Sequence, residues 1–187
     1  MKKIIAILLA LVAFSFAGVD LTLDAGVGIG SSALEDNNLC SLMQKEYNSS
    51  CSSIMQTSRI AIGGTIGDFA IGGNVSYQAH YVSAGKGSVD HFAYLIGPYL
   101  SLVKDGFIGT ASLGYGILYF HEDGYDAFAG NAFAFELSGA FRIFNDSHHS
   151  PIVGLKVFGA VGSLSVDGYD IDDSQFGVSV FIGYSHR

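Results

Sequence analysis

Residues 69–83 read FAIGGNVSYQAHYVS, and this stretch decides the fold. Phe69, Ile71, Gly73, Val75, Tyr77, Ala79 and Tyr81 hold the odd positions, while Ala70, Gly72, Asn74, Ser76, Gln78 and His80 hold the even ones. Successive side chains of a β-strand point to opposite faces, so this is a strand with one apolar and one wet face. The same alternation recurs along the chain in stretches of about ten residues or more, the length a tilted strand needs to cross a bilayer. The expected fold is all-β: an eight-stranded antiparallel up-and-down transmembrane β-barrel with its apolar side outward.

Outward from that stretch, the other strands are placed by the same rule. Val19–Gly30 alternates Val, Leu, Leu, Ala, Val and Ile against Asp, Thr, Asp and Gly. A long polar segment over 31–57 follows, then a strand over 58–66 with Ile60, Ile62 and Ile66 outward. Gly67-Asp68 is a two-residue hairpin turn leading into the opening stretch. Further strands are expected over 91–103, 107–120, 131–144, 151–163 and 174–186, with Pro98 marking a bulge or local distortion because it donates no ladder hydrogen bond. Short connections at 67–68, 104–106 and 145–150 alternate with longer ones at 31–57, 84–90, 121–130 and 164–173. This pattern is the one expected of periplasmic turns and extracellular loops, with both chain ends periplasmic. The outward positions carry no charge, and their aromatics gather toward two ends, as the two membrane interfaces require. A soluble calyx is the alternative, but its outer surface would need charges that these positions lack.

At the N-terminus, Lys2 and Lys3 precede the apolar run Ile4–Phe14 and then Ser15-Phe16-Ala17. This is the pattern of a signal peptide over 1–17, leaving 18–187 as one barrel domain. The chain holds nine Lys and Arg against seventeen Asp and Glu; without Lys2 and Lys3 the formal charge moves from −8 to −10. No basic footprint for nucleic acid exists in that balance.

With these features the chain resembles the small outer membrane β-barrel proteins of Gram-negative bacteria, the opacity-protein and OmpX-like group. Gln175-x-Gly177-x-x-Val180-x-Ile182 resembles the final-strand signal read by the barrel insertion machinery, with Tyr184 in place of the usual terminal aromatic. The resemblance implies a cell outer membrane location and partners among outer membrane lipid, lipopolysaccharide, the insertion machinery and a host or surface ligand. It implies a non-enzymatic role in envelope integrity, adhesion or host contact, without a cofactor. A small channel for a minor solute is the alternative. Some barrels of this size act on lipopolysaccharide acyl chains through Ser and His near the outer rim, but no His-x-Ser pair and no Gly-x-Ser-x-Gly elbow occurs there.

Three groups of residues are singled out. Asp20, Asp24, Arg59, His80, Glu136, Arg142 and Lys156 fall on inward positions, where opposite charges must neutralise one another. Glu136 and Lys156, on neighbouring strands, are expected to share a polar network that plugs the barrel; a pore, gated by His80 through pH, is the alternative. Cys40 and Cys51 are the two cysteines, and an exported chain is expected to pair them. Ser32-x-x-Glu35 resembles a capping box ahead of Leu39, Leu42 and Met43, so a short helix over the outer mouth is expected. Asp123, Asp126, Asp167, Asp170 and Asp172 lie in two loops sharing Asp-Gly-Tyr-Asp, and offer oxygen ligands for a weak divalent cation site or simply a solvated acidic fringe.

Overall fold

The computed structural model describes residues 18–122, 124, 127–145, 147–166 and 168–187. The expected signal peptide lies outside the described residues. The long strands are β1 (Gly18–Leu34), β3 (Cys51–Ile66), β4 (Phe69–Ala84), β5 (Gly87–Lys104), β6 (Phe107–Glu122), β7 (Phe128–Arg142), β8 (His149–Val166) and β9 (Tyr169–His186). Between β1 and β3 come the two-residue β2 (Asn37–Asn38) and the helix α1 (Leu39–Tyr47). Each long strand pairs antiparallel with the next long strand in sequence, and β1 also pairs with β9, which closes the sheet into an eight-stranded barrel.

The alternation sorts as read. Leu113, Phe133 and Ile182 are 65–70% exposed on the outside, whereas Gln78, His91, Glu136 and Lys156 are at most 1% exposed inside. A soluble calyx would show the reverse. At Pro98 the β5–β6 ladder passes from Ile96–Tyr115 to Tyr99–Ser112 with no extra residue on either strand, so the proline makes a local break in the pairing and not a bulge. The Asn74 side chain donates to the carbonyls of Gly97 and Pro98 at 3.0 and 3.1 Å. Asp105 and Gly106 both have positive φ, as a type I′ hairpin turn demands.

The strand ends depart from the sequence reading. β3 begins at Cys51 and not at residue 58; the expected 84–90 loop is a turn at Gly85–Lys86; and 164–173 is largely strand. Beyond the bilayer both faces of a strand are wet, so alternation fades while the ladder continues. Among the described connections only 35–50, carrying α1, is long, so the two barrel ends differ by this cap and not by loop length.

α1 forms where expected, but Ser32 does not start it. Asn38 is the N-cap, its Oδ1 accepting from Ser41 N–H at 3.1 Å. Ser32 instead continues β1, paired with Gln175, and points inward. Leu39 and Met43 are buried, and they pack in an apolar cluster that includes Val82, Val89, Leu118 and Leu164. The Cys40–Cys51 disulfide ties the helix to the start of β3. The interior is therefore not polar throughout: an apolar layer lies under the cap and a smaller one, Ile108, Ala140, Ile152 and Phe181, lies toward the opposite end of the barrel.

Candidate functional site

Two polar assemblies fill the inside of the barrel. The first starts from two local pairs. Asp24 and Arg59 are register partners on β1 and β3, and Arg59 donates to Asp24 Oδ2 through Nε at 2.9 Å and Nη2 at 2.8 Å. Glu136 and Lys156 are diagonal neighbours on β7 and β8, 3.6 Å apart. Closing the barrel joins the pairs across the lumen: Lys156 Nζ reaches Asp24 Oδ1 at 2.6 Å, and Arg59 Nη1 lies 4.0 Å from Glu136 Oε2. Gln78 adds a bond to Glu136 Oε1 at 3.3 Å, and Lys156 Nζ sits 5.4 Å from the Phe181 ring centre. Two anions and two cations thus cancel in a space where an unpaired charge would cost several kcal/mol.

The other inward residues singled out in the sequence lie apart from this quartet. Asp20 accepts from Tyr99 OH at 2.6 Å. Arg142 bonds the Ser147 carbonyl at the barrel end away from α1. His80 belongs to the second assembly, which the sequence reading missed. Asp173 Oδ2 lies 2.6 Å from His91 Nε2, His91 Nδ1 lies 3.1 Å from Ser32 Oγ, and Ser32 Oγ lies 2.7 Å from His80 Nδ1. A carboxylate only accepts, so His91 donates from Nε2, and the Ser32 hydroxyl joins the two imidazole rings. The relay joins β9, β5, β1 and β4 under the cap, and all four side chains are at most 4% exposed. It depends on His80 and His91 standing opposite each other, which the tight turn at Gly85–Lys86 fixes.

Ser, His and Asp in one chain of bonds is the composition of a hydrolytic triad. Here the serine is 2% exposed, at the end of the barrel that the tethered helix covers, and the four side chains link four strands. Asp173→Ala strands the His91 donor in the interior and is expected to lower stability by about 1–3 kcal/mol. Urea unfolding monitored by heat-dependent gel mobility checks this.

Of the acidic segments the structure describes only part. Asp123, Asp126 and Asp167 lie outside the described residues. Glu122 accepts from Tyr47 OH of α1 at 3.1 Å, and Asp173 faces the lumen. Asp170 and Asp172 are exposed on β9, paired with Ser165 and Ser163. Among the described residues no group of three or more His, Cys, Asp or Glu is placed to hold a metal ion.

A closed eight-stranded antiparallel barrel, apolar outside and filled with polar and ion-paired side chains inside, has the fold of the small eight-stranded outer membrane barrels. Solved structures agree on the fold. Neisserial surface protein A superposes with a TM-score of 0.56 at 9% identity, covering 89% of this chain and 96% of that one. Ail, the attachment invasion locus protein of Yersinia pestis, crystallised with the heparin analogue sucrose octasulfate, gives 0.50 at 8% identity, covering 87% and 98%. No family model and no curated protein sequence matches the chain.

Proposed function

We propose that this chain is a non-enzymatic integral outer membrane protein that acts through its capped end, in envelope integrity, adhesion or host contact. The observation that supports this is the disulfide-tethered α1 seated on an apolar layer over a lumen plugged by a charge-neutral quartet. The cap faces outward and both chain ends face the periplasm; epitope tags at Glu35–Asp36 are then reached by antibody on intact cells. The rival reading, a small channel, draws on inward glycines such as Gly26, Gly28 and Gly72, although an eight-stranded wall is only just wide enough for its own side chains. Purified protein in planar bilayers is expected to give no discrete conductance steps, and steps would overturn the plugged barrel. Lipid A from expressing cells is expected to keep its acylation.

The rim chemistry narrows the surface partner. Around the capped end, Glu35, Asp36, Glu46, Asp90, Glu122, Asp170 and Asp172 outnumber Lys45 and Lys86 among the described residues. Such a rim repels a sulfated polyanion of the kind crystallised with Ail. A cationic surface suits it, as does lipopolysaccharide phosphate bridged by divalent cations. Millimolar Ca²⁺ is expected to raise the unfolding temperature, and Asp170→Asn with Asp172→Asn to remove the gain. An equal calcium shift in that variant would reduce the rim to a solvated acidic surface.

A further inference from the structure

The lipid-facing wall is unevenly covered. Most outward positions carry Leu, Ile, Val, Phe or Tyr, but Pro98, Gly109, Ala111, Gly139 and Gly159 leave it low across β5–β8. Three apolar hollows of about 500, 520 and 590 Å³ lie there. The first two share Pro98, Leu113 and Phe135, and the second and third share Leu100, Ala111 and Leu137, so they form one furrow.

The furrow is built into the backbone. Pro98 interrupts the β5–β6 ladder, and Asn74 holds the local carbonyls from inside, which fixes the dent. Further along, Gly109 and Gly139 are register partners, and a Cβ on either would come within 3.3 Å of the Phe107 ring, so that ring lies over a glycine floor. At the other end the Phe135 and Phe176 rings, 6.2 Å apart, lean over Gly159. From Tyr115 to Phe107 the furrow follows β6 for ~27 Å at the usual rise per residue. At the usual barrel tilt this is ~20 Å of depth, against ~15 Å for one leaflet's hydrocarbon. The next outward residue after Leu102 at the furrow's end is Lys104, which is exposed and flanks the Asp105 turn, with Asp68 in the adjoining one.

We propose that this furrow seats one phospholipid, with a fatty-acyl chain running past Pro98 and Ala111 between the aromatic rings that cover the glycines, and the phosphate at Lys104. The occupant follows from the fold, since this wall faces hydrocarbon and its cationic end marks where a headgroup phosphate meets water. A chain lying in the furrow touches protein on three sides, whereas bulk lipid touches a flat wall on one, so the seated lipid exchanges more slowly.

The test uses protein refolded into vesicles of phosphatidylethanolamine and phosphatidylglycerol, released into detergent and read by native mass spectrometry. The wild type is expected to retain one phospholipid at collision energies that strip the remainder. Ala111→Phe fills the junction of two hollows from an exposed position and loses that lipid, whereas Ile60→Phe, on β3 away from the furrow, keeps it. Lys104→Glu reduces retention several-fold. Wild-type protein without a retained lipid, or Ala111→Phe retaining it fully, overturns the seat. So does a wild-type dimer that Ala111→Phe dissociates, because the face would then belong to a second copy. Unchanged retention in Lys104→Glu overturns the phosphate assignment.

Discussion

Lys156→Met is expected to destabilise the barrel by about 3–5 kcal/mol, the range for removing one partner of a buried ion pair. Lys156 Nζ is 2.6 Å from Asp24 and 3.6 Å from Glu136, at 0% side-chain exposure. Methionine fills much of the same volume, so packing changes little, but two carboxylates are left sharing Arg59. The double variant Lys156→Met with Glu136→Gln leaves one anion against one cation and is expected to regain most of the loss. Equilibrium urea unfolding in lipid vesicles reads both. Equal stability of wild type and single variant would mean that lumen water, and not Lys156, solvates the carboxylates.

Replacing Cys40 and Cys51 together by alanine is expected to cost up to about 3 kcal/mol, from the freedom regained by the unfolded chain. The bridge spans 11 residues and closes α1 onto β3. The effect should also be local. α1 has nine residues, too few to persist by itself in water. Limited proteolysis should therefore cut between Glu35 and Ser50 in the variant while the strands resist. An unchanged urea midpoint together with an intact segment would show that Leu39 and Met43 hold the cap by packing alone.

Mid-barrel structure was legible because bilayer and lumen impose opposite demands on alternate residues. Phe69–Ser83 and the runs ending in Leu102, Tyr119 and Ile182 all carry that contrast. It disappears at Ser52 and Ser53, which are exposed in succession, and there the strand extends beyond the alternation. The Ser32 capping box matched its pattern, yet Asn38 was the better-placed cap and Ser32 had ladder partners on β9. Local pairing could suggest Glu136 with Lys156. It could not suggest Asp24 with Lys156, because closure alone makes them neighbours. The histidine relay was hidden for a similar reason: a loop over 84–90 has its midpoint at residue 87 and leaves His80 and His91 unpaired, whereas a turn at 85–86 aligns them.

The seam between β1 and β9 governs the order of assembly. Every other long pairing joins strands adjacent in sequence, and these can form early as hairpins. The seam joins residues 21–34 to 173–186 and has to wait for almost the whole chain. Until it closes, two strand edges hold unpaired N–H and C=O groups, which hydrocarbon does not tolerate. A half-built barrel is therefore no resting state in the bilayer, and insertion and closure must proceed together. Ser32 lies on one side of that seam and Asp173 on the other, so the relay can be completed only in a barrel that has finished closing.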